Sequence, residues 1–94
     1  MHTKHQTTFP LGRTVATPGA LELLESLSIA PVDLLKRHQQ GDWGQLCDED
    51  KEANDQALID GDRILSAYEI GGEKVWIITE WDRSATTILL PSEY

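Results

Sequence analysis

The sequence predicts an α+β fold, with two to three N-terminal helices packed on a C-terminal three-stranded antiparallel β-meander. Apolar residues recur at the helical period of about 3.6 up to Gly61 and at a period of two beyond it. β-Branched and aromatic residues also dominate after Gly61, which favours strands there. A chain of 94 residues can bury one core but not two. We therefore expect one α+β domain over residues 9–94, preceded by a polar, flexible tail over residues 1–8.

Two helices are expected in the first half of the chain. Thr17 is suited to cap the first helix, and Pro18 occupies its first position, where the missing N–H costs nothing. A second helix is expected over residues 31–39, because Pro31 interrupts the first pattern and Gly41 is a natural stop.

The third helix follows a turn that carries a tryptophan. Trp43 lies between Gly41 and Gly44, and we expect it to anchor this turn on the core. The helix is expected to begin near Asp48, since acids in a first turn suit the positive pole of the helix dipole. Gly61 is expected to end it.

The strands are expected over residues 63–70, 74–80 and 85–90. Gly71 and Gly72 supply a tight hairpin turn between the first two strands, because glycine tolerates positive φ. The arm over residues 9–15 leaves two interpretations open. It either adds a fourth strand or stays irregular, and Pro10 and Gly12 weaken the assignment as a strand.

The chain is strongly acidic, which limits the partners it can bind. Sixteen Asp and Glu residues and eight Lys and Arg residues give a formal net charge of −8. Phosphate backbones repel such a charge, so direct binding of nucleic acid is not expected. The first residues contain no secretory signal, and no apolar run is long enough to span a membrane. With Cys47 as its only cysteine, the chain is expected to be cytoplasmic and to hold no metal or cofactor.

Several segments resemble one family of small bacterial proteins. They include Ala16-Thr17-Pro18-Gly19-Ala20-Leu21, Gly41-Asp42-Trp43-Gly44, Trp76-Ile77-Ile78-Thr79-Glu80 and Asp82-Arg83-Ser84-Ala85-Thr86-Thr87. The resemblance extends from Phe9 to Tyr94 and is to the "plasmid-related proteins", sometimes labelled as type I restriction subunits. It implies an accessory role on a mobile element, in DNA maintenance or in evading host defence. A restriction-subunit role is not expected, because 94 residues cannot hold a methyltransferase domain.

Most of the negative charge lies in one short segment. Between Asp42 and Asp62 there are eight acids and one base, Lys51, which gives −8 + 1 = −7. The acids are Asp42, Asp48, Glu49, Asp50, Glu52, Asp55, Asp60 and Asp62. Clustered carboxylates can mimic a phosphate backbone and engage a basic protein surface. They can also bind a hard cation or form a solvated helix face, although their spacing does not match an EF-hand.

A second polar group combines acids, bases and aromatic residues. It comprises Arg37, His38, Asp42, Trp43, Asp50, Asn54, Arg63, Glu80, Asp82 and Arg83. Asp50 and Asn54, four residues apart, share a helix face. If that face meets the turn at Trp43, the group forms a hydrogen-bonded knot.

Three members of this group also have the chemistry needed to cleave RNA. Glu80 would act as the base, His38 as the acid, and Arg83 would stabilise the charge on the phosphorane. In the structural alternative, Arg63, Glu80 and Arg83 form cross-strand ion pairs and turn caps.

The sequence favours a non-catalytic binding or regulatory module whose acidic helix engages a basic partner protein. The predicted binding residues are Asp42, Trp43, Asp48, Glu49, Asp50, Glu52, Asn54, Arg63 and Arg83. The alternative is a small RNase-like enzyme that uses His38, Glu80 and Arg83. A homodimer formed through an uncovered sheet face or edge is a further hypothesis.

Overall fold

The computed structural model describes residues 9–94, so the tail expected over residues 1–8 lies outside the described residues. The strands are β1 (Arg13–Ala16), β2 (Ile64–Ile70), β3 (Glu73–Thr79) and β4 (Ala85–Leu89). The helices are α1 (Pro18–Ser26), α2 (Pro31–Gln39) and α3 (Asp48–Asp60), followed by a short 3₁₀ helix at Pro91–Glu93. The α+β class is as expected.

The sheet has four strands in the order β1-β4-β3-β2, so the prediction of a three-stranded antiparallel meander is wrong. β2, β3 and β4 are antiparallel neighbours, whereas β1 joins β4 in parallel. At the start of the parallel ladder, the backbone N–H of Arg13 donates to the carbonyl oxygen of Ser84 at 3.0 Å. Of the two interpretations left open for the arm over residues 9–15, the fourth strand is the correct one, although it begins only at Arg13. The sequence could not decide this because β1 has four residues, none of them buried, and pairs with a strand far away in the chain.

The predicted ends of the helices are confirmed. The hydroxyl oxygen of Thr17 accepts a hydrogen bond from the backbone N–H of Ala20 at 3.3 Å and so caps α1. α3 ends at Gly61, whose φ of 80° lies in the left-handed region that glycine adopts without strain. The β2–β3 hairpin turns at Gly71 and Gly72, both with positive φ.

Two apolar clusters join the helices to the sheet. The larger one contains Ala20, Leu24, Leu34, Tyr68, Val75, Ile77 and Ile88. The smaller one contains Phe9, Trp43, Ala57 and Ile64. The second cluster connects α3 and the segment before β1 to the start of β2. Trp43 is only 4% exposed in it, which confirms the prediction that this tryptophan anchors its turn.

The outer edge of β2 is covered by the turn before α3 and by α3 itself. The backbone N–H of Ala67 donates to the carbonyl oxygen of Trp43 at 3.1 Å, and its carbonyl oxygen accepts from the N–H of Gln45 at 2.7 Å. The side chains of Gln45 and Asn54 bind the backbone of β2 at the flanking positions. Side chains and a turn thus take the place of a further strand.

Candidate functional site

The acidic segment lies mainly along the exposed side of α3. All eight acids between Asp42 and Asp62 are exposed. The ion pairs within residues 9–94 are Arg37–Asp42 at 2.7 Å and Arg63–Glu80 at 3.8 Å. Among the described residues, therefore, only one of the eight acids has a cationic partner, and the other seven have none.

The paired acid, Asp42, shapes the turn before α3. Its carboxylate accepts hydrogen bonds from Nε of Arg37 at 2.7 Å and from the backbone N–H of Gly44 at 3.2 Å. The bond from Arg37 is the main reason that the pKa of Asp42 lies below its ordinary value. The Arg37 guanidinium stacks 4.4 Å from the centre of the Tyr68 ring, and the Tyr68 hydroxyl donates to the Asp42 carbonyl at 2.6 Å. This closed set of contacts separates Asp42 from the unpaired acids.

Three side chains hold α3 against the rest of the fold. Nε1 of Trp43 donates to the carboxylate of Asp55 at 3.1 Å. Asn54, only 5% exposed, binds the backbone of β2. At the C-terminal end, Nη2 of Arg83 donates to the carbonyl oxygen of Ala57 at 3.1 Å. The other acids of α3 are therefore presented on a helix that these three contacts hold in place.

Two large apolar side chains are exposed near the C-terminal end of α3. Ile59 is 78% exposed and Trp81 is 66% exposed. Nη1 of Arg83 donates both to the carbonyl oxygen of Asp62, at 2.7 Å, and to that of Trp81, at 3.2 Å. This shared donor places the β3–β4 turn, with Trp81, beside the end of the acidic helix.

His38 is fully buried in a chain of hydrogen-bonded hydroxyl groups. The Thr86 hydroxyl donates to the carbonyl oxygen of Leu11 at 2.7 Å, so it accepts the proton of the Thr79 hydroxyl, also at 2.7 Å. Thr79 must then accept from Nε2–H of His38 at 2.9 Å, and Nδ1 accepts from the Ser66 hydroxyl at 2.6 Å. For a neutral His38, the donor and acceptor inventory therefore assigns the proton to Nε2.

His38 is packed against aromatic rings and shielded from solvent. Its ring makes edge contacts with Phe9 and Trp43, at centroid distances of 5.3 and 5.9 Å. Burial lowers the pKa of His38 to about 4, and none of its surface is exposed. Glu80 follows Thr79 in the extended chain and thus points to the other face of the sheet. A general acid and its base would have to meet one substrate, and these two side chains face opposite sides.

Arg83 fastens the β3–β4 turn to the end of α3. Its Nη1 donates to the carbonyl oxygens of Asp62, Glu80 and Trp81, at 2.7, 3.1 and 3.2 Å. Its Nη2 donates to that of Ala57 at 3.1 Å. Because these contacts join carbonyl groups of the β3–β4 turn to carbonyl groups at the end of α3, the guanidinium acts as a structural clamp.

Three of the predicted site residues meet around Phe9, which the sequence did not single out. The Phe9 ring lies 5.3 Å from that of His38 and 6.3 Å from that of Trp43, and Cζ of Arg83 is 5.8 Å from its centre. Phe9 itself is 6% exposed. The predicted binding residues Asp48, Glu49, Asp50 and Glu52 are exposed on α3 instead. These predicted site residues therefore divide between a largely buried cluster around Phe9 and an exposed helix surface.

Two further predicted residues lie elsewhere. The Asp82 carboxylate accepts from the backbone N–H of Ser84 at 3.1 Å. Arg63 lies on the sheet face opposite to His38. It lines a cleft of about 240 Å³ together with Leu65, Trp76, Ile78 and Tyr94. Nη1 of Arg63 donates to the Tyr94 hydroxyl at 2.8 Å, which is the main reason that the pKa of Arg63 is raised. Arg63 thus links the end of the described chain to β2.

Within residues 9–94, no group of three or more His, Cys, Asp or Glu side chains is placed to hold a metal ion. In the same part of the chain, every helix is too short or too polar to cross a membrane. Comparison with protein-family models, curated proteins and solved structures found no match. The fold and its surface define a small acidic α+β protein with one unpaired acidic helix.

Proposed function

We propose that the protein is a non-catalytic binding module whose helix α3 engages a basic surface of a partner protein. The observation that carries this proposal is the set of seven exposed acids that lack a cationic partner within the described chain. Like charges crowded on one helix repel one another, and a basic partner relieves that repulsion. Complementary charge also steers the encounter of the two proteins.

Two exposed apolar residues support a protein partner over a bound cation. Ile59 and Trp81 lie near the C-terminal end of α3, where they can supply the desolvated contacts that charges alone do not provide. Tryptophan in particular is enriched among the residues that dominate binding energy at interfaces. The proposed interface therefore has an acidic part over 48–52 and an apolar part at Ile59 and Trp81.

The carboxylates of α3 indicate which class of protein the partner belongs to. Closely spaced carboxylates on a rigid helix present negative charge much as a phosphate backbone does, so the basic groove of a nucleic-acid-processing protein is a suitable surface. This role agrees with the resemblance to plasmid-related proteins, for which an accessory role on a mobile element, such as evading host defence, is implied. The cytoplasmic location remains part of this proposal.

The RNase-like alternative receives no support from the geometry. His38 has no exposed surface, and Arg83 is engaged by backbone carbonyl oxygens. The acidic surface would also repel an RNA substrate.

A charge-reversal experiment tests the proposed interface. One variant changes Asp48, Glu49, Asp50 and Glu52 to Lys. A matched control changes Glu22, Glu25, Asp33 and Glu73 to Lys; these are four exposed acids outside the segment. The two variants have the same net charge, so any difference between them reports position and not total charge.

Both variants and the wild type are immobilised and exposed to a bacterial lysate. The retained proteins are eluted with duplex DNA and compared by quantitative proteomics. We expect the wild type and the control variant to retain the same basic proteins, and we expect duplex DNA to release them. The first variant should not retain these proteins. Ile59→Asp combined with Trp81→Ala should weaken the same set. Equal recovery of these proteins by the two charge-reversed variants would rule out α3 as the interface.

A further inference from the structure

The two edges of the sheet differ in how their backbone groups are satisfied. The outer edge of β2 is covered at successive positions by the turn before α3 and by the side chains of Gln45 and Asn54. The outer edge of β1 has no such cover within residues 9–94. Natural proteins normally protect exposed edges, because unpaired N–H and C=O groups recruit another strand. The unprotected edge therefore marks β1 as a pairing surface.

The register of β1 identifies the free groups. Backbone N–H groups of Arg13 and Thr17 donate to Ser84 and Ile88, each at 3.0 Å, so alternate residues of the strand face β4. The N–H and C=O groups of Thr14 and Ala16 thus point away from the sheet, and no hydrogen bond is made to them in the described part of the chain. Within residues 9–94, four backbone groups at the edge of β1 therefore have no hydrogen-bond partner.

We propose that a second copy of this chain occupies this edge, with the two β1 strands antiparallel about a twofold axis. Antiparallel pairing of Thr14 with Ala16 of the second copy, and the reverse, forms four hydrogen bonds and satisfies every free group. The axis then passes beside Val15, so the Val15 residues of the two copies lie opposite one another across the interface. The dimer contains one continuous eight-stranded sheet. This proposal does not depend on the proposed function of α3.

The side chains around β1 suit such an interface. Val15 is 44% exposed, and Leu21 on the neighbouring helix is 41% exposed. Beside them lies an apolar cavity of about 200 Å³, lined mainly by β1, α1 and α2. Pairing two copies at this edge removes apolar surface from water on both protomers.

The charge distribution permits the approach of two acidic chains at this edge in particular. α3, which carries most of the negative charge, contacts β2 at the opposite edge of the sheet. In the proposed dimer the two acidic helices are therefore at the far ends of the assembly. Separation beyond a Debye length, about 8 Å at physiological salt, largely screens their repulsion.

The first test is the mass of the wild-type protein in solution. Analytical ultracentrifugation from about 1 µM to about 500 µM covers the affinities expected of a small interface. We expect a reversible monomer–dimer equilibrium. A monomer at every concentration would overturn the proposal and would leave the edge to a strand from another protein.

Charge substitutions at Val15 test the twofold register. Val15→Asp and Val15→Lys each place like charges opposite one another, so each variant should dimerise at least about tenfold more weakly than wild type. An equimolar mixture of the two should form a heterodimer more stable than either homodimer, because opposite charges then meet. If the mixture dimerises no better than the separate variants, residue 15 does not face itself and the register is wrong.

A proline substitution tests the edge independently of charge. Thr14→Pro removes an N–H that the β1–β4 ladder does not use, so circular dichroism should show a folded protein. Analytical ultracentrifugation should show that this variant no longer dimerises. Thr14→Val keeps this N–H at the same position, so it is the matched control and should dimerise as wild type does. Neither Thr14 nor Val15 belongs to the proposed partner surface on α3, so the two proposals are tested separately.

Discussion

Asn54 of α3 and Leu65 of β2 exchange two hydrogen bonds. Nδ2 of Asn54 donates to the carbonyl oxygen of Leu65 at 2.7 Å, and the N–H of Leu65 donates to Oδ1 of Asn54 at 3.1 Å. The carboxamide thereby reproduces the pattern by which a neighbouring strand would bind this residue. Asn54 is thus a structural residue that closes the sheet edge, whereas Asp48, Glu49, Asp50 and Glu52 in the same helix are exposed.

Removal of this carboxamide should destabilise the fold. Asn54→Ala leaves both backbone groups of Leu65 unpaired at a partly buried position, and we expect the free energy of unfolding to fall by about 1–2 kcal/mol. Urea denaturation measures the loss, and hydrogen exchange should accelerate at the Leu65 amide. Gln56→Ala, at an exposed position of the same helix, should change stability by less than about 0.5 kcal/mol. Similar losses for the two variants would contradict this role of Asn54.

The burial of His38 predicts a dependence of stability on pH. The pKa of His38 is about 4 in the folded protein and 6.5 for the free side chain, so the unfolded chain binds more protons between these values. Stability is therefore complete above pH 6.5 and falls as the pH drops towards 4. A difference of about 2.5 pKa units corresponds to about 3 kcal/mol.

His38→Gln isolates this contribution because glutamine does not titrate, while the carboxylates remain the same in both proteins. We expect the free energy of unfolding of wild type to fall about 3 kcal/mol more than that of the variant between pH 6.5 and pH 4. Urea denaturation at several pH values measures both. Parallel pH profiles for the two proteins would show that His38 is not buried in its neutral form.

Arg83 should matter for stability through the shape of its guanidinium. Arg83→Lys keeps the charge but cannot reach the carbonyl oxygens of Ala57 and Asp62 together with those of the turn, so we expect a loss of about 1–2 kcal/mol. Thermal unfolding measures this loss, and limited proteolysis should detect a looser β3–β4 turn. Arg63→Lys, at a half-exposed position, is the control and should change stability much less. The reverse order of the two losses would contradict the clamp.

The elements that the sequence predicted well are those whose signals are local. Thr17 caps α1, α2 covers residues 31–39, and Gly61 ends α3, as expected. The β2–β3 hairpin also turns where two glycines permit positive φ. In each case the deciding residues lie within one turn of the boundary they set, so their effect does not depend on the rest of the fold.

The roles of the polar residues could not be predicted in the same way. The sequence placed three residues in a candidate functional site: Arg37, His38 and Arg83. Their hydrogen-bond partners lie in other parts of the fold. The network around His38 leaves one trace in the sequence: Ser66, Thr79 and Thr86 occupy inward-facing strand positions, where apolar residues are the rule. Polar residues at these positions indicate that a polar side chain is buried against the sheet, but they do not identify it as His38.

The sequence alone determined the helices, the three later strands and the concentration of negative charge between Asp42 and Asp62, because these depend on neighbouring residues or on composition. Only the tertiary structure decided that β1 joins β4, that the carboxamide of Asn54 closes the opposite edge, and that His38 is sealed inside. These outcomes depend on hydrogen bonds between distant segments. Backbone groups at an edge are chemically alike in every residue, so the chain carries no local mark of which ones will be paired.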